Sequence, residues 1–346
     1  MDKKFTEEEA TLYDRQIRLW GLDAQKRLRN ARILVCGMSG LGAEVAKNLV
    51  LAGVKSLTML DQVNLTLEHC QSNFLAPRDQ VGKNRAEASL NRLQNLNPMV
   101  QVSAEVGDVD AKDREYFKDF DIVLVTSAMK DTLIKVNGFC RDLGIKFLSG
   151  DVFGFFGYAF MDLVEHEFVE EVMKSSNSDL DADEPVKKRP KKDAEGEQEE
   201  EESKTKMVKT IMSFVPLEKS LASDWSQEAY KKRIKRMDPS FFVLHVLYEF
   251  QSREGRHPLL EHEEGDLKTL KSLGESITQK FNLPETKIPE AIYPMLFSEI
   301  SPSAAIVGGI LAQEIIKIIS NRDAPHNNFF FFNPLETAGI VEKVGY

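Results

Sequence analysis

An α/β fold of the Rossmann type, with a mixed sheet and an insertion that is partly disordered and partly helical, is predicted by three features of this sequence. A strand, a glycine-rich turn, a helix and a second strand ending in an acid follow one another between Ile33 and Asp61. Strand-like apolar runs then keep alternating with helix-spaced segments as far as residue 150. Apolar residues almost vanish between 175 and 206, and strongly apolar segments return towards residues 303–333.

The first unit carries the most information. Residues 32–36 are a short apolar run, Gly37, Gly40 and Gly42 punctuate the turn, residues 43–52 place apolar side chains at helical spacing, and residues 56–60 lead into Asp61. In such a βαβ unit the unpaired N–H groups and positive dipole at the helix start attract phosphates, and an acid about 20 residues further on suits ribose hydroxyls. Ser39 stands at the middle glycine position of the G-x-G-x-x-G pattern, where a missing side chain normally lets the backbone approach a pyrophosphate. The turn alone leaves two readings open: a nucleotide site, or glycines that only pack strand on helix.

Further along, the pattern predicts a helix over 83–97, strands over 100–106 and 121–126, a helix over 131–143, and strands over 146–150 and the aromatic-rich 153–160. The polar stretch 175–206 buries too little apolar surface to offset its ordering entropy and is expected to be disordered. Within it, residues 187–192 (Lys-Lys-Arg-Pro-Lys-Lys) read as a nuclear import signal beside the acidic run 197–202, predicting a nuclear protein with some cytoplasmic pool. A strand-like segment at 210–215 leads to helices over 226–236, 240–251 and 266–281, then an apolar helix over 303–320 and an unbroken apolar strand at 327–333. The expected organisation is a first part of the main fold over 1–170, a charged insertion over 171–206, a mainly helical subdomain over 207–295, and a return to the main fold over 296–346.

Composition narrows the function classes. With 346 residues, 42% hydrophobic and 29% charged, the chain has room for one large domain or two smaller ones. Its net charge of -10 argues against general nucleic-acid binding. No apolar run is expected to span a bilayer, and the first residues lack the apolar core of a signal peptide, so an intracellular protein is expected. Cys36, Cys70 and Cys140 are the three cysteines, without CxxC or zinc-like Cys/His spacing, so neither a disulfide framework nor a metal site is expected.

Residues 13–21, the glycine turn, Asp61, residues 81–86 (Val-Gly-Lys-Asn-Arg-Ala), residues 96–98 (Leu-Asn-Pro) and residues 307–314 together resemble, in order and spacing, the adenylating family that includes MoeB, ThiF and the activating enzymes for ubiquitin-like proteins. Across the whole chain the resemblance is to the non-thiol subunits of its SUMO-activating branch. It implies a ThiF/MoeB adenylation fold that takes ATP, magnesium and the C-terminal carboxylate of a small protein, and joins carboxylate and nucleotide as an acyl-adenylate with release of pyrophosphate. Charge on the phosphates would be met by positioned cations and a metal ion. The resemblance assigns Gly37, Gly40 and Gly42 to the phosphate turn, Asp61 to the ribose and Lys83 to the phosphates.

Departures from the family pattern imply that this chain's own site is degenerate. Where active members carry Thr-Asp-Asn and then an arginine, an ungapped alignment of residues 126–133 puts Ala128 in place of the aspartate and Leu133 in place of the arginine. Asp131 is the acid that a shifted alignment would bring there. The Ser-Asn-Leu and Arg-Gln motif is reduced to residues 71–74 without its arginine. ATP and magnesium are therefore expected mainly on a partner subunit. The resemblance instead points to Arg15, which in this family reaches across the dimer interface into the partner's site as an arginine finger, with Arg18 one turn on in support. The plain alternative is a docking helix over 13–20 with Tyr13, Ile17 and Trp20 buried and both arginines in solvent.

None of the three cysteines has the exposed, cation-rich setting that activates a thiol, so the thioester cysteine is also expected on the partner. The resulting expectation is half of a heterodimeric activating enzyme whose partners are a thiol-bearing catalytic subunit and SUMO. A self-sufficient homodimeric adenylating enzyme would need the acid that Ala128 replaces, and a nicotinamide-dependent oxidoreductase would rest on the glycine turn alone.

Overall fold

The fold, taken from a computed structural model that describes residues 5–173 and 205–346, is organised around β1 (Arg32–Cys36). Three helices precede it: α1 (Glu7–Leu12), α2 (Asp14–Trp20) and α3 (Leu22–Leu28). After β1 come α4 (Gly40–Ala52), β2 (Ser56–Asp61), the short α5 (His69–Ser72), α6 (Arg85–Leu96), β3 (Gln101–Val106), β4 (Ile122–Thr126), α7 (Lys130–Leu143), β5 (Lys146–Phe153) and β6 (Phe156–Asp162). β7 (Glu165–Met173) and β8 (Thr205–Ser213) pair with each other as an antiparallel ribbon. Then follow α8 (Leu217–Leu221), α9 (Lys231–Arg236), α10 (Ser240–Glu254), α11 (Glu263–Lys280), α12 (Ser301–Ser320), β9 (Phe329–Asn333) and β10 (Ala338–Glu342).

Eight strands make one mixed sheet in the order β10-β9-β6-β5-β4-β1-β2-β3. β3, β2, β1, β4 and β5 are parallel, while β6, β9 and β10 run antiparallel to their neighbours. Both faces are covered, because side chains alternate along each strand. Leu34, Cys36, Val123 and Val125 join one core, and Ile33, Val35, Ile122 and Leu124 join the other. The phenylalanine run of β9 divides in the same way, Phe329 and Phe331 to the first core and Phe330 to the second. α4 and α12 cover the second face; α10, apolar almost all round, covers the first together with α7. Phe241 and Phe242 of α10 lie in one core with Phe156 and Phe331 of the sheet, so these helices share the sheet's core.

Two segments differ from their sequence reading. The ribbon pairs Met173 with Thr205, so residues 171–173 and 205–206 are strand, because a window dominated by charge hides the alternation of the ribbon. The import signal at Lys187–Lys192 and the acidic run lie outside the described residues. α12, 20 residues of mean hydropathy 1.5, is long and apolar enough by length and composition to cross a membrane, but it packs against α4, β5 and β6 as a core helix.

α10 also holds a histidine that has no hydrogen-bond partner among the described residues. His245 is buried between the Phe241 and Phe281 rings, its Nε2 has no hydrogen-bond partner, and burial pushes its pKa down to about 3. The unfolded chain takes up that proton near pH 6.5, so this site removes about 1.4 kcal/mol of stability for each pH unit below about 6.5, down to the folded value. Urea unfolding at pH 7 and pH 5 is expected to show the loss, and His245→Phe to flatten it by that site's share. An unchanged slope in the variant would assign the acid sensitivity elsewhere.

Candidate functional site

Strand order reverses between β1 and β4, and a crevice opens beyond the C-terminal ends of the strands there, where doubly wound sheets take ligands. A cavity of about 310 Å³ is lined by Gly37, Asp61, Arg85, Asp108, Ser127 and Ala128. A larger one of about 720 Å³ shares Arg85 and Ser127 with it and extends to Ser39, Asp151, His257 and Glu299. The turn between β1 and α4 is shaped by contact. Gly37 has φ +90°, and a Cβ on Gly42 would lie 2.0 Å from the Gly37 carbonyl oxygen. Both glycines are required by packing alone.

Asp61 lines the smaller cavity, yet its carboxylate is spent on the protein. Oδ2 accepts from the Met38 N–H at 2.6 Å and from Arg85 Nε at 2.9 Å, while Oδ1 accepts from the Val63 N–H at 2.7 Å and from a terminal Arg85 nitrogen at 3.2 Å. Arg85 is thereby the cation that faces both cavities. Asn84 positions it by capping α6, its side chain accepting from the Ala86 N–H at 2.9 Å, which sets Arg85 at the first helical residue. Lys83, expected at the phosphates, is exposed and lines neither cavity, because the turn ahead of the cap carries it outward.

The start of α4 is occupied from within. Glu299, from the segment just before α12, accepts from the Gly40 N–H at 2.8 Å and the Leu41 N–H at 2.7 Å, and from Ser72 Oγ at 2.8 Å. Deeper in the larger cavity, burial holds the Asp151 carboxyl well above the usual carboxylate range, and burial lowers the neighbouring His257 to about 4. His257 stacks on Phe153. Both groups favour their neutral forms.

Ala128 lines the smaller cavity without offering a ligand atom, Leu133 is buried in the first core, and Asp131 is exposed in the first turn of α7, outside both cavities. Among the described residues no group of three or more His, Cys, Asp or Glu is placed to hold a metal ion. With its helix N-terminus filled, Asp61 paired to Arg85 and no metal-holding cluster formed by the Asp108 and Asp110 that share the cavity with Ala128, the crevice does not fit a metal-bound triphosphate. Cys36 and Cys140 are buried, and burial raises both thiols. Cys70 is half-buried in α5, its Sγ directed at the Thr66 carbonyl oxygen at 3.3 Å.

α2 lies against the opposite end of α4. The buried Tyr13 ring packs on Gly53, and its hydroxyl accepts from Asn97 Nδ2 at 2.8 Å. Gln16 Nε2 donates to the Leu51 carbonyl at 3.1 Å, and Trp20 Nε1 donates to Gln25 Oε1 at 2.8 Å. Ile17 and Trp20 are half-buried rather than buried, since α2 rides on the surface of α4. Arg18 is exposed and paired with Asp14 at 3.1 Å. Arg15 is exposed and has no hydrogen-bond or ion-pair partner among the described residues. Leu12, Leu19 and Leu22, one on each of α1, α2 and α3, are also exposed.

A model of the ThiF family matches residues 13–344. The chain belongs to the ThiF family. Among its ThiF relatives, SUMO-activating enzyme subunit 1 of Rattus norvegicus is 48% identical over 341 residues, covering 98% of this chain and 95% of that protein. The Homo sapiens protein of the same name is 47% identical, covering 98% and 96%. A solved structure described as the crystal structure of SeMet PaaA is 15% identical with a TM-score of 0.54, covering 99% of this chain and 76% of that one, a likeness of fold alone. Sequence reasoning missed two residues of the ThiF crevice. Arg85 was within the quoted 81–86 segment, and its inward aim follows from Asn84 as a helix cap. Glu299 carried no signal, since nothing local shows that an acid before α12 meets a turn 259 residues away.

Proposed function

We propose that this chain is the non-thiol subunit of a heterodimeric SUMO-activating enzyme, which supports ATP-dependent adenylation of the SUMO C-terminus without adenylating by itself. The thiol-bearing catalytic subunit supplies the metal ligands, most of the ATP site and the cysteine that receives SUMO. The identity of nearly half the residues to proteins named SUMO-activating enzyme subunit 1, over almost the whole chain, supports the choice of modifier.

The placement of Arg15 carries this reading. α2 is fastened at Leu51 and Gly53, at the C-terminal end of α4, whereas the cradle of the chain's own crevice is at Gly40, the other end. Thirteen helical residues separate the two ends by about 18 Å, beyond the reach of an arginine side chain. In this reading Arg15 serves a site on another molecule, and the exposed Leu12, Leu19 and Leu22 supply apolar surface for that molecule to cover. A guanidinium fits phosphate oxygens with a planar fork and stays charged at any cellular pH.

ATP–pyrophosphate exchange with SUMO tests the reading, comparing this chain alone, the catalytic subunit alone and the two together. Exchange is expected only from the assembled pair. A comparable rate from the isolated chain would overturn the assignment.

A further inference from the structure

We propose that the Glu299 carboxylate is a resident anion that fills the phosphate cradle at the start of α4 and closes this chain's own crevice to nucleoside triphosphates. The proposal rests on the reading that this chain's site does not turn over, and it names the group that shuts it. A phosphate bound at a helix start uses the free N–H groups of the first turn. Here the Gly40 and Leu41 N–H groups each donate to a different oxygen of Glu299, and the Ser72 hydroxyl adds a third bond. These are short, charge-assisted bonds, and the carboxylate sits at the positive end of a 13-residue helix.

The contact is not ordinary local capping. Ser39 occupies the N-cap position of α4, where a serine usually caps with its own side chain, and it makes no such bond. The capping group arrives instead from 259 residues away. Its backbone is pinned on both sides: residue 299 bridges to Gly154, and the Ser301 hydroxyl donates to the Gln71 carbonyl at 3.2 Å. A phosphate oxygen and Glu299 compete for the same donors. Any triphosphate reaching the turn would also meet this negative charge at contact distance, with Arg85 already paired to Asp61. Loss of the metal-binding acid would disarm such a site; an internal carboxylate goes further and occupies it.

The test uses the full-length chain, without partner or SUMO, and inorganic pyrophosphate as the probe, followed through the backbone amide signals of Gly40 and Leu41. In the wild type these signals are expected to stay still at millimolar pyrophosphate. In Glu299→Ala they are expected to shift and saturate, with at least tenfold tighter binding. Glu299→Gln keeps the bulk of the side chain and removes the charge, so it guards against a folding defect and is expected to give a smaller gain. Signals that move equally in the wild type, or remain still in both variants, would overturn the closure. Because neither partner nor SUMO is present, silence in the variants sinks only this proposal and leaves the exchange experiment to judge the function.

Discussion

Arg15→Ala is expected to lower ATP–pyrophosphate exchange by the assembled heterodimer by about a thousandfold, the low end of what an arginine finger supplies in phosphoryl transfer. The melting temperature of the chain should not move, because Arg15 is exposed and touches no partner among the described residues. Assembly must be measured beside activity, by sedimentation of the mutant pair, since the exposed Leu12, Leu19 and Leu22 of the same N-terminal helices offer apolar surface to a partner. Arg15→Lys separates two explanations. A lysine keeps the charge but not the planar fork, so partial rescue points to charge stabilisation and none points to bidentate geometry. Full exchange by an assembled Arg15→Ala pair would reduce the chain to a scaffold.

The second large effect is on stability. Asp61→Ala is expected to destabilise the fold by about 3–5 kcal/mol, the range for removing one partner of a buried ion pair. The Asp61 and Arg85 side chains are only 1% and 8% exposed, and the substitution strands the guanidinium together with the Met38 and Val63 N–H groups. Asp61→Asn combined with Arg85→Met should be milder than Asp61→Ala alone, because an amide oxygen still accepts a backbone N–H and no charge is left unpaired. Chemical denaturation of the three variants measures this. An acid kept for a ribose hydroxyl would leave the unfolding midpoint unchanged on removal, and that result would return Asp61 to a ligand-binding role.

Much of the architecture was legible because it depends on local periodicity. β4 and β9 read as continuous apolar runs because both of their faces are covered, and α7 and α12 declare themselves through helical spacing. The β7–β8 ribbon was partly hidden, since its strands carry many charges and border the highly charged segment. At the crevice, the residue types that define a nucleotide turn were visible, but their allegiance was not. Asp61 looks the same in sequence whether it holds a ribose or an arginine. Lys83 and Arg85 are two residues apart, and only the cap at Asn84 decides which one points inward. Glu299 was beyond reach because its partners lie far away along the chain, and distance in sequence carries no pattern to read.

The position of β9 in the sheet also governs the order in which the protein can be completed. β6 pairs with β9 through Phe160 and Phe329, so on the ribosome the outer edge of β6 waits for a strand made some 170 residues later. At typical translation speeds that is about 10–30 seconds. During that interval an aromatic strand shows its unpaired backbone to the cell, the kind of edge that invites association with other chains. The final phenylalanine run therefore acts as the clasp that ends this exposure, and a nascent chain halted before residue 329 would be left with a sticky, unfinished rim.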